Sequence, residues 1–214
     1  MLKKRHYLLC LFSLALFAQQ PKPNSSFNNL ILTPEIMGGI TSEPNGGFPE
    51  HDFQKQFMLS LGWDNRSNSQ EWAQRLKGPR TGISVGYANF GNAENLGYAL
   101  TLMPFIEINA FGKKNLKVVI GFGGSYFNKI FDPINNPNNQ AVTTPINWSF
   151  RAFIHYQIAS SKRLDWRLGV GVFHHSNGHT RLRNQGYNSF LLSLSTDIKP
   201  KSIASTPAPK LNFN

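Results

Sequence analysis

Residues 147–158 alternate strictly in character. Trp148, Phe150, Ala152, Ile154, Tyr156 and Ile158 share one parity, while Asn147, Ser149, Arg151, Phe153, His155 and Gln157 share the other. Successive residues of a β-strand point to opposite faces of the sheet, so this segment reads as a strand with one apolar and one largely polar face. Three further segments repeat the pattern. Trp166, Leu168, Val170 and Val172 oppose Asp165, Arg167, Gly169 and Gly171; Phe190, Leu192 and Leu194 oppose Ser189, Ser193, Ser195 and Asp197; and Phe57, Leu59, Leu61 and Trp63 oppose Gln56, Ser60 and Asp64. Together the chain offers eight candidate strands, at 30–41, 55–64, 80–90, 97–111, 115–128, 147–159, 164–176 and 187–198.

The polar parity decides between architectures. In a soluble barrel or sandwich it would meet water and carry many Lys and Glu. Here it carries Gly, Ser, Asn, Gln and Arg/Asp types, which suit a narrow, packed, polar interior. Charged residues make up only 15% of the chain, against about a quarter in soluble domains. After the N-terminus no apolar run approaches the roughly 20 residues that a spanning helix needs. An even number of strands of about ten residues with a dyad pattern predicts an all-β fold, an eight-stranded antiparallel transmembrane β-barrel of outer-membrane type. Trp63, Trp148, Trp166 and Tyr156 are expected in its interfacial aromatic girdles. Glu107, Arg151, His155, Asp165, Arg167 and Asp197 are expected inside it, where charges need partners.

The remaining segments frame this barrel. Met1 to His6 is basic, Tyr7 to Phe17 is apolar and Ala18 is small, the pattern of a cleaved signal peptide over 1–18. The barrel is expected over 19–198, with a flexible tail at 199–214 that contains Pro200, Pro207 and Pro209. With the N-terminus in the periplasm, the turns at 112–115 and 160–163 are periplasmic and short, and the connections at 42–54, 129–146 and 177–186 form longer outer loops. The segment 65–79 departs from that asymmetry as a long periplasmic turn. The lone cysteine, Cys10, lies in the signal, which removes disulfides, thiolate metal sites and cysteine nucleophiles from the mature chain. A net charge of +11 favours acidic partners such as phosphates and lipid headgroups. No basic–aromatic nucleic-acid motif is present. Eight strands leave room inside only for side chains, which disfavours a transport barrel.

Chemistry concentrates at one place. His174 and Ser176 are two apart and share the parity of Val170 and Val172, the lipid side. Asn188, on the parity of Phe190 and Leu192, faces the same way from the neighbouring strand. A Ser nucleophile, a His base and a third group orienting the His is the logic of a hydrolytic triad. The Asn177-Gly178 turn offers N–H groups for an oxyanion, and the amide of Asn177 or Asn184 offers another. The competing reading is a polar rim facing headgroups with no chemistry. His175 faces inward by parity. Its His-x3-His spacing with His179 falls at a strand end, the wrong frame for a ligand pair, so no metal and no other cofactor is expected.

The string His174-His175-Ser176-Asn177, with Asn184-Gln185-Gly186-Tyr187-Asn188 after it, resembles the lipid A 3-O-deacylase (PagL-type) family. The resemblance implies an eight-stranded outer-membrane barrel that removes an ester-linked hydroxyacyl chain from lipid A, the lipid part of lipopolysaccharide, without a metal. It implies Ser176 as nucleophile and His174 as base; Asn177 matches a position associated with the oxyanion site, and Asn184 matches a motif asparagine. One departure stands out: the family's acid, a Glu, falls where this chain has Asn188. Three readings follow: a slow Ser-His-Asn esterase, an esterase served by another carboxylate such as Glu94, or a catalytically weak or inactive lipid-binding barrel.

Overall fold

The computed structural model describes residues 29–113 and 115–200. The expected signal peptide and residues 201–214 of the expected tail lie outside them. Eight strands form: β1 (Leu30–Thr41), β2 (Gln54–Asp64), β3 (Arg80–Asn89), β4 (Tyr98–Asn109), β5 (Leu116–Phe127), β6 (Ile146–Ser160), β7 (Leu164–Ser176) and β8 (Tyr187–Ile198). Each pairs antiparallel with the next, and β8 pairs with β1 to close the barrel. Closure satisfies every strand's backbone groups laterally, the condition for a sheet to stand in hydrocarbon.

The side chains are sorted as parity requires. Val170, Phe190 and Leu192 are more than half exposed on the outer wall, at 55%, 55% and 68%, whereas Arg151 inside is 1% exposed. Ile36, Phe57, Val85, Leu102, Phe122 and Ile154 extend the apolar wall around the barrel. A soluble monomer rarely exposes a contiguous apolar patch larger than a few hundred Å², so this belt is built for lipid. Trp63, Trp148, Trp166 and Tyr156 all stand on the outer wall.

Inside, polar and apolar layers alternate. Near the end that holds the β2–β3, β4–β5 and β6–β7 connections, Glu107 accepts from Arg80 (2.5 Å) and Arg167 (2.7 Å). Asp197 accepts from the same two arginines (2.7 and 3.0 Å) and from the Thr33 hydroxyl (2.6 Å). Glu35 next binds Arg151 and His155, both at 2.8 Å. Met58, Met103, Phe153 and Phe173 pack among these layers. The expected interior network thus forms, with two members the parity reading omitted, Glu35 and Arg80. Asp165 is a correction: it sits at the barrel rim, bound to Lys199 (2.8 Å) and Ser160 (2.6 Å), outside the central cluster.

At the opposite end, hydroxyls of Thr101, Ser125 and Ser149 join in a chain of 2.6 Å bonds that ends on His175 Nδ1 at 2.8 Å. His175 is fully buried, as its parity requires, while His179 is exposed. Above this chain Phe90, Phe127 and Tyr187 stack as an aromatic plug, with ring centroids 4.5–5.6 Å apart. The β5–β6 and β7–β8 loops close over it: Tyr187 donates its phenol to Asn139 (3.1 Å), and the Gly186 N–H binds the Ala141 carbonyl (2.8 Å). The 65–79 connection holds a five-residue helix, α1 (Glu71–Arg75), where the sequence reading expects only a long turn.

Candidate active site

β7 and β8 are paired so that His174 lies opposite Asn188 and Val172 opposite Phe190. β6 sets Trp148 opposite Ser176 and Phe150 opposite His174. His174, Ser176 and Asn188 therefore stand on the outer wall, above the apolar residues Val170, Val172, Phe190 and Leu192. Ser42, the residue after β1, lies beside the His174–Asn188 pair, its N–H (2.8 Å) and hydroxyl (3.2 Å) both donating to the Asn188 carbonyl.

Asn188 Oδ1 lies 2.8 Å from His174 Nδ1. An amide oxygen only accepts, so Nδ1 carries a proton, and in the neutral tautomer this selects, Nε2 keeps the free lone pair. Gly186 makes room for this ring. Its φ is +75°, and a Cβ there would come within 2.9 Å of His174 Cε1 and of the His175 carbonyl. A side chain at this position would be strained and would push the imidazole aside.

Ser176 Oγ accepts two hydrogen bonds, from Asn184 Nδ2 at 2.8 Å and from the Gly178 N–H at 3.1 Å. It makes no direct hydrogen bond to His174, and such contacts commonly tighten only when substrate binds. Both groups are hydrogen-bond donors, the kind of group an oxyanion needs, and here they are bound to the hydroxyl oxygen itself.

Asn177 differs from its expected place. Its N–H donates to Asn184 Oδ1 (2.8 Å), and its side-chain amide to the Arg181 carbonyl (2.7 Å) and Thr143 Oγ1 (3.3 Å). With its donors committed and its side chain buried, Asn177 braces the loop and holds Asn184 against Ser176. Glu94, the alternative acid, lies in the β3–β4 loop, and those strands are four places round the barrel from β7 and β8. That removes it as a partner for His174. Thr143, in the β5–β6 loop, was missed by the sequence reading; a lone threonine in a long polar loop carries no periodic signal.

Below the row, the outer wall holds an apolar groove of about 690 Å³. Ile40, Ile154, Val170, Val172, Phe190 and Leu192 line it, and Val172 and Phe190 are the outward residues next below His174 and Asn188.

No curated protein matches the chain. Among solved structures, that of the outer membrane enzyme PagL matches with a TM-score of 0.51 and 19% identity, covering 76% of this chain and 97% of that one. Neisserial surface protein A matches at 0.49 and 10%, covering 80% and 97%. The first of these likenesses supports the fold. The model of the lipid A 3-O-deacylase (PagL) family matches residues 57–197, which hold β3 to β7 complete, most of β2 and β8, and every candidate site residue. The chain belongs to the lipid A 3-O-deacylase (PagL) family.

Proposed function

We propose that the protein is an outer-membrane serine esterase that removes an ester-linked acyl chain from lipid A. The observation that carries this reading is the lipid-facing row of Ser176, His174 and Asn188, with His174 Nδ1 bound to Asn188 Oδ1 at 2.8 Å directly above an apolar groove. A polar rim without chemistry needs neither the ordered imidazole nor two donors aimed at one hydroxyl.

The acyl chain lies in the groove with its ester at the level of Ser176. Ser176 Oγ attacks the acyl carbon as His174 Nε2 takes the hydroxyl proton. Asn184 Nδ2 and the Gly178 N–H stabilise the oxyanion. The sugar hydroxyl leaves with the proton from His174, and water, deprotonated by His174, then releases the fatty acid. Asn188 keeps the imidazole in the required tautomer. Mass spectrometry of lipid A from cells with and without the protein tests this. The expected result is loss of one hydroxyacyl mass when the protein is present; identical lipid A in both would refute it.

Asn188 sets the rate. An amide orients the imidazole but lacks the charge to stabilise imidazolium, and a flip of its amide would offer Nδ2 and favour the wrong tautomer. Asp has the same length as Asn, so Asn188→Asp places a carboxylate at the same 2.8 Å. This variant is expected to raise kcat by roughly 10²-fold or more, read on purified protein in detergent. An unchanged or lower kcat would mean that Asn188 does not orient the base.

The second reading, a catalytically weak or inactive lipid-binding barrel, draws on the same amide and on the missing Ser176–His174 bond. It predicts unchanged lipid A together with retained glycolipid binding.

A further inference from the structure

The outer loops segregate charge. The β1–β2 loop carries Glu43, Glu50 and Asp52 and no Lys or Arg, and the β3–β4 loop carries Glu94 alone. The β7–β8 loop, which leads directly from Ser176, carries Arg181 and Arg183 and no carboxylate. The β5–β6 loop beside it has one carboxylate, Asp132, and that is occupied by its own turn. Asp132 Oδ1 accepts the N–H groups of Asn135 (2.7 Å) and Ile134 (2.9 Å), which hold the carboxyl below its usual pKa.

The two arginines are exposed, and among the described residues neither has an ion-pair partner. Their backbone is nevertheless fixed. The Arg181 carbonyl accepts from Asn177 Nδ2 (2.7 Å) and from Thr143 Oγ1 (3.1 Å), and the Arg183 carbonyl accepts from the same hydroxyl. Thr143 and Asn177 are 3% and 2% exposed, so these anchors are part of the packed cap. The Arg183 guanidinium lies over the Phe131 ring, 5.2 Å from its centroid. Between the two stands Leu182, 74% exposed. A braced loop that presents two unpaired guanidinium groups around one apolar side chain, next to a nucleophile at the upper edge of a lipid-facing wall, has the chemistry of an anionic headgroup clamp. Guanidinium matches phosphate oxygens bidentately.

We infer that Arg181 and Arg183 bind a phosphate monoester on the headgroup of the glycolipid whose acyl chain fills the groove, with Leu182 set among the neighbouring acyl chains. The inference rests on the esterase reading for the placement of the ester, whereas the binding itself is measurable without turnover. The phosphate fixes the headgroup from above while the groove fixes the chain from below, and the ester is held between them.

The test uses the full-length protein carrying Ser176→Ala, folded in zwitterionic detergent. It is titrated with phosphorylated lipid A, with the same lipid A after dephosphorylation, and with phosphatidylglycerol. Adding Arg181→Gln and Arg183→Gln is expected to weaken binding of phosphorylated lipid A about tenfold or more. It should leave the dephosphorylated form unchanged and alter phosphatidylglycerol binding less than about twofold. Equal losses for both lipid A forms, a matching loss for phosphatidylglycerol, or no loss at all would overturn the clamp. Heat-modifiable migration on gels verifies that the loop variants fold. Should unmutated protein bind with this phosphate contrast yet leave lipid A intact, the clamp stands and the esterase reading falls.

Discussion

Ser176→Ala is expected to abolish acyl release, lowering kcat by about 10³-fold or more. Whereas the Ser42 hydroxyl is donated to the Asn188 carbonyl, in the proposed mechanism the Ser176 hydroxyl forms the acyl-enzyme. The donors that now bind it, Asn184 Nδ2 and the Gly178 N–H, stabilise charge but supply no nucleophile. His174→Ala should cost a similar factor, and the double variant little more, because the two residues act as a unit. Ser176 is half-buried at the outer end of β7 and lies outside both buried apolar clusters, so the alanine variant should keep its fold. The measurement is hydrolysis of purified lipid A followed by mass spectrometry, with heat-modifiable migration as the folding control. Retention of more than about a tenth of the activity would remove Ser176 as nucleophile.

The largest expected effect on stability lies inside the barrel. Arg80, Arg167, Glu107 and Asp197 form a neutral square in which each carboxylate binds both arginines. Glu107→Gln leaves two guanidinium groups facing one carboxylate, an uncompensated buried charge. It is expected to destabilise the barrel by about 3–5 kcal/mol, measured by denaturant unfolding in lipid vesicles. Removing charges in pairs should cost less. Glu107→Leu combined with Arg80→Met leaves the 3.0 Å Arg167–Asp197 pair intact and neutral. The paired variant should therefore be more stable than Glu107→Gln alone; a less stable one would mean that the square contributes through its hydrogen bonds and packing more than through charge balance.

Much of this fold was legible from parity. β7 and β8 run over the residues expected of them, 164–176 and 187–198, because their outward residues are apolar from Trp166 to Val172 and from Phe190 to Leu194. That frame also carried His174, Ser176 and Asn188 to one face and His175 to the other. Parity was weaker where the chain is irregular. Arg80 is the first residue of its strand, whose faces the sequence analysis leaves unsorted, so its place in the ionic square was missed. Glu35 follows Pro34 in a strand with little alternation. Asp165 has inward parity, but it stands near the strand end, where β6 shifts register between Gln157 and Ala159, and the rim offers Lys199 as partner. The loop clasp was invisible. The bonds from Thr143 and Asn177 to the arginine carbonyls join segments with no periodicity, so the sequence showed two long loops with no sign that one braces the other.

The filled interior has a consequence for substrate choice. Ionic layers, packed methionines and an aromatic plug make the barrel a solid post, so the Ser176–His174 row cannot slide vertically against the apolar belt. A strand rises about 3.3 Å per residue and tilts by roughly 40°, so two residues along β7 correspond to about 5 Å of depth. For an enzyme working on a lipid held in the same bilayer, that fixed height acts as a ruler. Among chemically similar esters on one headgroup, the one cleaved would be the one that floats at the level of Ser176.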